Sequence, residues 1–140
     1  MTVVACAVGI LGPDGRWIGF APTLEDGYAL VIGTDGGAAA SAPATSDELV
    51  ALAIAYFADE LPEPPEGLAA THGDIAALIR HLAAEEGEME PARLLAEAVD
   101  AIDDGLAADV VVSRLSRCLS SDEEPEARLR RRANELLGGS

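Results

Sequence analysis

Residues 3–20 read VVACAVGILGPDGRWIGF, in which two apolar runs flank the turn sequence GPDG. Pro13 suits the first central position of a type I turn, and Gly15 accepts the left-handed conformation that follows. The stretch therefore predicts a β-hairpin at the start of the chain. In its first strand, Ala5, Ala7 and Gly9 lie on one face with almost no side-chain bulk, and we expect a helix to pack closely there.

The segments after the hairpin predict one or two further strands and then a series of helices. YALVIG at 28–33 predicts a third strand, and AAASA at 38–42 predicts either a short fourth strand or an extended linker. From Thr45 onward the apolar period changes from two to about 3.6, and TSDE at 45–48 has the pattern of a capping box. Five helices are predicted: at 47–60, at 72–86, from Pro91 through Ile102, at 106–119, and from SDEEP (121–125) to about 137.

These segments place the chain in the α+β class. We predict an N-terminal antiparallel β-meander of three to four strands at about 3–42, followed by about five helices at about 46–138 packed on one face. Residues 1–140 are expected to form a single compact domain, because a chain of this length buries roughly two-thirds of its unfolded surface. Such a core needs no disulfide, so Cys6 and Cys118 are expected to be reduced thiols.

The composition is strongly acidic: the chain has 25 aspartate and glutamate residues but only nine arginines, and its formal net charge is −16. A field of this sign repels phosphate backbones and anionic lipid surfaces, so we expect no nucleic acid and no membrane as a direct partner. The longest apolar run, LVALAIAYFA at 49–58, has half of the roughly 20 residues that a membrane span requires. Abundant alanine, glycine and arginine without lysine are typical of a GC-rich bacterial genome, and we expect a cytoplasmic protein.

The sequence contains no strong signature of catalysis or of cofactor binding. Neither a glycine-rich nucleotide-binding pattern nor a nucleophile elbow occurs. His72 and His81 are nine residues apart, which puts them on opposite faces of one predicted helix. The aspartates of residues 100–104 are interpreted as a solvated helix face. We therefore expect no cofactor and no metal.

The stretch SDEEPEARLRRRANELLGG at 121–139 predicts a helix with acidic residues at its start and arginines in its later turns. Its narrow apolar stripe is typical of a helix that packs on the protein's own core. In a second interpretation the helix binds an acidic partner or a second copy of the chain, because the planar guanidinium group suits carboxylates. The candidate partner-binding residues are Arg128, Arg130, Arg131, Arg132, Leu129 and Leu136.

Three functional interpretations remain open. The first is a small acidic interaction module, acting as a regulator, an inhibitor or an immunity-type protein that binds a basic partner or self-associates. The second is a nucleic-acid mimic that inhibits a DNA- or RNA-binding protein. The third is a small enzyme or ligand-binding domain, in which Thr2, exposed by removal of Met1, is the nucleophile and its own amine is the base.

Overall fold

The computed structural model describes residues 6–12, 15–22, 27–34, 39–59, 61–64, 70–87, 89–119 and 123–137. The described residues form four strands followed by five helices, which confirms the α+β prediction. The strands are β1 (Cys6–Leu11), β2 (Arg16–Pro22), β3 (Tyr28–Gly33) and β4 (Ala39–Pro43). The helices are α1 (Ser46–Ala58), α2 (His72–Glu86), α3 (Glu90–Asp103), α4 (Ala108–Ser116) and α5 (Pro125–Leu136).

The four strands form one antiparallel sheet in sequential order, β1-β2-β3-β4. AAASA contributes a strand rather than a linker, since Val31 in β3 pairs with Ser41 in β4. Pairing along the edge of β3 gives the backbone of this segment partners within the protein. The central residues of the predicted GPDG turn, Pro13 and Asp14, lie outside the described residues.

A β-bulge in β1 changes which of its residues share a face. Ala7 pairs with Gly19, whereas Gly9 pairs with Ile18, so β1 has one extra residue between these two pairs. Ala7 and Gly9 therefore lie on opposite faces of the sheet, and the prediction that they share one flat surface for a helix is wrong. The third residue of that predicted surface, Ala5, lies outside the described residues. Gly9 instead faces the segment after α1, where a Cβ added to it would lie 2.5 Å from the Cβ of Leu61.

The strand register divides the sheet into two faces. Ile18 pairs with Ile32 and Phe20 pairs with Leu30, and all four side chains are buried in the core that the sheet shares with the helices. Side chains alternate between faces along a strand. The residues next to these four along the strands, such as Trp17 and Val31, therefore point to the opposite face.

The helix α1 is the centre of this core. Nine of its 13 residues are buried, in agreement with its apolar sequence. It packs mainly against α4 and α5, while α2 packs along α3. Buried side chains from all five helices, among them Leu52, Ile79, Leu95, Leu115 and Leu129, join those of the sheet in one hydrophobic cluster.

Local hydrogen bonds define the start of α1. The amide of Glu48 donates to Thr45 Oγ1 at 3.2 Å, and the amide of Thr45 donates to Glu48 Oε1 at 3.0 Å.

Replacing Thr45 with alanine is expected to lower the free energy of unfolding by about 1 kcal/mol, because the Glu48 amide loses its acceptor. Urea denaturation measures this loss. The Thr45→Ser control keeps the hydroxyl and should stay close to the wild-type value; an equal loss in both variants would contradict the capping role.

Candidate functional site

A groove lies where the end of α1, the start of α2 and the turn between α3 and α4 meet. It consists of two adjoining hollows of about 300 and 330 Å³, whose linings share Phe57, His72 and Ala108. Most of the lining side chains are apolar or aromatic, which is the usual character of a ligand or peptide groove.

The segment that leaves α1 forms the first wall of the groove. Asp59 ends the helix in the left-handed conformation, with φ 55°, and the prolines that follow it cannot continue a helix. Leu61 turns inward and is only 7% exposed. The carbonyl of Pro62 accepts a hydrogen bond from the amide of Ile10 in β1 at 3.2 Å. These contacts hold the wall against the sheet.

Three rings, from Tyr56, Phe57 and His72, form the floor of the groove. Their centroids are 5.0 to 5.5 Å apart, and Tyr56 Oη lies 3.4 Å from His72 Nδ1. Burial, together with the negative charges of Asp74 and Asp59, raises the pKa of Tyr56 above its ordinary value. The phenol is therefore protonated at neutral pH, where it is a neutral hydrogen-bond donor.

The turn between α3 and α4 forms the second wall. Gly105 reverses the chain with φ 72°, and the amide of Leu106 donates to the carbonyl of Ala101 at 3.0 Å. This geometry leaves Leu106 46% exposed. A single exposed leucine needs no explanation, but this one continues an apolar wall that includes Ile102 and Val111. The wall therefore offers a partly desolvated surface to a ligand.

The charge around the groove is negative. Asp59 and Glu63 are exposed and belong to its lining. Asp104 and Asp109, also exposed, flank the lining residues of the second wall in the chain. All nine arginines lie within the described residues, and none of them lines either hollow. The groove thus combines an apolar interior with an acidic rim.

The arginines of α5, which the sequence singles out for partner binding, contact the protein's own carboxylates. Arg128 lies 3.4 Å from Asp47 and 3.8 Å from Glu123, and Arg131 lies 3.0 Å from the same Glu123. Arg130 pairs with Glu126 one turn earlier in α5. Partner binding by these arginines stays a prediction, and any acidic partner must compete with these internal ion pairs.

The ion pair of Arg132 connects α5 to the start of α1. Its Nε lies 2.9 Å from Glu48 Oε2, although the N–H is not aimed along a hydrogen-bond direction. Glu48 is only 7% exposed. Leu129 is fully buried and Leu136 packs at the edge of the core, so the apolar stripe of α5 faces the protein's own interior.

The structure separates the other chemically notable side chains. His81 lies beside Tyr28, with ring centroids 4.8 Å apart, whereas His72 lies in the groove. Cys6 and Cys118 are reduced thiols, and burial with the negative charge of Asp74 raises the pKa of the Cys6 thiol. Residue Thr2 lies outside the described part of the chain.

The described residues contain no group of three or more histidine, cysteine, aspartate or glutamate residues arranged to hold a metal ion. Of the helices within the described ranges, none combines the length and apolar character needed to cross a membrane.

Comparison with known proteins identifies no relative: no family model, curated protein or solved structure matches the chain. The groove was not predicted from the sequence, in which Tyr56 and Phe57 belong to the apolar run at 49–58 and His72 is the first residue of the predicted helix at 72–86. One signal was available. In DDGLAAD at 103–109, Leu106 follows a helix-ending glycine and stands among three aspartates, which is an unfavourable place for a leucine unless it contacts something.

Proposed function

We propose that the protein is a non-enzymatic interaction module whose groove binds a basic, amphipathic segment of a partner protein. The observation that carries this proposal is the coincidence of the apolar wall around Leu106 with an acidic rim that lacks arginine. The binding would serve a regulator, an inhibitor or an immunity-type protein. The composition supports placing it in the cytoplasm of a bacterium.

The apolar wall supplies the anchoring contact. Interfaces gain most of their free energy from a few side chains that fill desolvated pockets. A leucine, isoleucine or phenylalanine of the partner, inserted over Phe57 and beside Leu106, removes apolar surface from water on both sides. The anchor explains why the partner segment must carry apolar residues and cannot be merely cationic.

The rim supplies the charge selection. Asp59 and Glu63 lie in the lining and attract arginine or lysine residues next to the anchor. The net charge of −16 extends this attraction beyond the groove and raises the association rate with a basic partner. Like-charge repulsion equally discourages acidic partners. Such binding must weaken as salt is added, because salt screens exposed charges.

A labelled peptide tests the proposal directly. The probe is a fluorescein-tagged helical peptide of about 15 residues with leucines on one face and arginines on the other. A second peptide keeps the arginines but replaces the leucines with serine. Fluorescence anisotropy should show binding of the first peptide, weaker in about 0.5 M salt, and at least about tenfold weaker binding of the second.

Variants of the protein locate the binding. Leu106→Ser should weaken the leucine–arginine peptide about tenfold, since the exposed wall loses its anchor contact. Asp59→Asn combined with Glu63→Gln should flatten the salt dependence, and asparagine tolerates the left-handed backbone at position 59. Met89, 61% exposed and outside the groove lining, provides the control Met89→Ser. Equal binding of both peptides, or unchanged binding by Leu106→Ser, would overturn the proposal.

A further inference from the structure

The two hollows of the groove differ in their chemistry. The first hollow, of about 300 Å³, is lined by the rings of Tyr56, Phe57 and His72 and by the carboxylates of Asp59 and Glu63. The second hollow, of about 330 Å³, shares two of the rings but has no acidic residue among the described residues that line it. Both volumes are at the lower end of the range usual for ligand sites. The first hollow therefore suits a small charged group, whereas the second offers apolar surface.

The two carboxylates of the first hollow have no cationic partner in the described part of the chain. All nine arginines lie within the described residues, and their ion pairs are formed with other carboxylates, as in the pair of Arg80 with Asp103 at 2.7 Å. A cation that enters the hollow is attracted by Asp59 and Glu63 without having to displace an internal ion pair.

The rings provide aromatic surface beside these carboxylates. Tyr56 meets Phe57 at an interplanar angle of 90° and His72 at 79°, so the rings form a corner rather than a flat stack. Phe57 is buried, whereas Tyr56 is partly exposed and His72 is exposed. The face of an aromatic ring attracts a cation, and tyrosine is among the side chains that do so. A cation in this hollow can contact a ring and a carboxylate together.

The electrostatic field at Tyr56 also has the sign that favours a cation. Burial raises the pKa of the phenol, and the negative charges of Asp74 and Asp59 raise it further, because all three disfavour the phenolate anion. The carboxylate of Asp74 is held in place by the amide of Thr71, which donates to it at 2.8 Å. The same two negative charges stabilise a cation placed next to the ring.

We infer that the first hollow binds a guanidinium group, either of an arginine in the partner segment or of a small free guanidinium compound. The inference rests on the proposed function, in which the groove is a binding site, and adds which cation the groove selects. A guanidinium group is planar, stacks on aromatic rings and donates from several N–H groups to carboxylates. The ammonium group of lysine is a compact, strongly hydrated charge that cannot stack, so it binds the hollow more weakly.

Ethylguanidinium, which resembles the end of an arginine side chain, tests the hollow without the apolar anchor. The chain has two histidines, and His81 lies beside Tyr28, outside the lining of both hollows. Proton NMR of the imidazole rings at about pH 8, where an ordinary histidine is neutral, therefore has a reporter in the hollow and a reference outside it. His81→Gln assigns the two resonances.

Ethylguanidinium chloride should shift the His72 resonance saturably and leave that of His81 unchanged. Ethylammonium chloride has the same charge and alkyl group, and at equal ionic strength it should need an at least about fivefold higher concentration for the same shift. Equal shifts with both salts, or no shift of His72 with ethylguanidinium, would overturn the inference.

A peptide distinguishes the two sources of the guanidinium group. Replacing every arginine of the leucine–arginine peptide with lysine keeps its charge and should weaken binding at least about fivefold. Attraction by the acidic rim alone predicts equal binding of the two peptides. A His72 response to ethylguanidinium combined with equal binding of the peptides would support the hollow as a site for a small guanidinium compound.

Variants of the two tyrosines locate the selectivity. Tyr56→Leu removes the ring but keeps apolar bulk, and it should reduce the preference for arginine over lysine to less than about twofold. Tyr56→Phe keeps the ring and should retain the preference. Tyr28→Leu removes the only other tyrosine, which lines neither hollow, and should behave as the wild type. Circular dichroism checks that each variant is folded, and a preference that survives in folded Tyr56→Leu would contradict the role of the ring.

Failure of this inference and failure of the proposed function give different results. Peptide binding that depends on leucine, without a His72 response to ethylguanidinium, would refute the guanidinium site and leave the interaction module standing. A His72 response without leucine-dependent peptide binding would refute the interaction module and leave the guanidinium site standing.

Discussion

Reversing the charges of Arg128 and Arg132 together (Arg128→Glu with Arg132→Glu) is expected to lower the free energy of unfolding by about 3 to 5 kcal/mol. These arginines contact Asp47 and Glu48 at the start of α1, at 3.4 and 2.9 Å. The side chain of Arg128 is only 15% exposed and that of Glu48 only 9%. The reversal therefore sets two new carboxylates against the poorly solvated Glu48 and against Asp47, whose side chain is 26% exposed.

The matched control is Arg130→Glu on the same helix. Arg130 is 52% exposed and its partner Glu126 belongs to α5 itself, so this reversal should cost less than about 1 kcal/mol. Urea denaturation followed by circular dichroism compares the variants. If both variants lost the same small amount of unfolding free energy, the ion pairs between α1 and α5 would not stabilise the fold. The arginines would then be available to a partner.

Replacing Gly19 with alanine is expected to destabilise the protein by about 3 kcal/mol, at the upper end of overpacking effects. A Cβ at this position would lie 2.1 Å from the carbonyl oxygen of Cys6 and 2.8 Å from the Cα of Ala7. Both are backbone atoms of β1, which cannot move aside without losing the pairing of β1 with β2. Glycine is required here because two strands approach closely at the bulge.

Gly73→Ala tests whether the effect depends on the contact. Gly73 lies in the first turn of α2, and the nearest atom to an added Cβ there is Thr71 Oγ1 at 3.6 Å. Alanine should be neutral at this position or stabilise by up to about 1 kcal/mol, because it restricts the unfolded chain and favours a helix. A comparable loss of thermal stability in both variants would show that the Gly19 contact is not the cause.

The elements were predictable where short-range chemistry defines them. The helix α2 has the predicted bounds, since Thr71 and Asp74 form a capping box and Gly87 ends the helix. The helix α4 is shorter than predicted, Ala108–Ser116 instead of 106–119, and it has no side-chain cap. In its place, the amide of Leu106 is bonded to α3, which keeps the start of the predicted segment out of the helix.

The candidate site was predictable only in its general chemistry. The excess of acidic residues predicts an acidic surface, and the basic partner stays a prediction that rests on this composition. The groove depends on Phe57, His72 and Leu106, which belong to three separate elements and have no common pattern in the chain. The position of Leu106 among aspartates can be interpreted as part of a site only when the apolar side chains beside it in the structure are known.

The sequence by itself determined the class of the fold, the order of its elements and the sign of its surface charge. Apolar periodicity, capping residues, glycines and prolines act within a few residues, so a linear pattern contains them. Tertiary structure decided the groove and the ion pairs of α5, because each depends on residues far apart in the chain. The bulge in β1 depends on how β1 pairs with β2, which the pattern of either strand alone does not contain. Arg128 meets Asp47 across a separation of 81 residues, and only the packing of α5 on α1 determines whether that charge serves the fold or a partner.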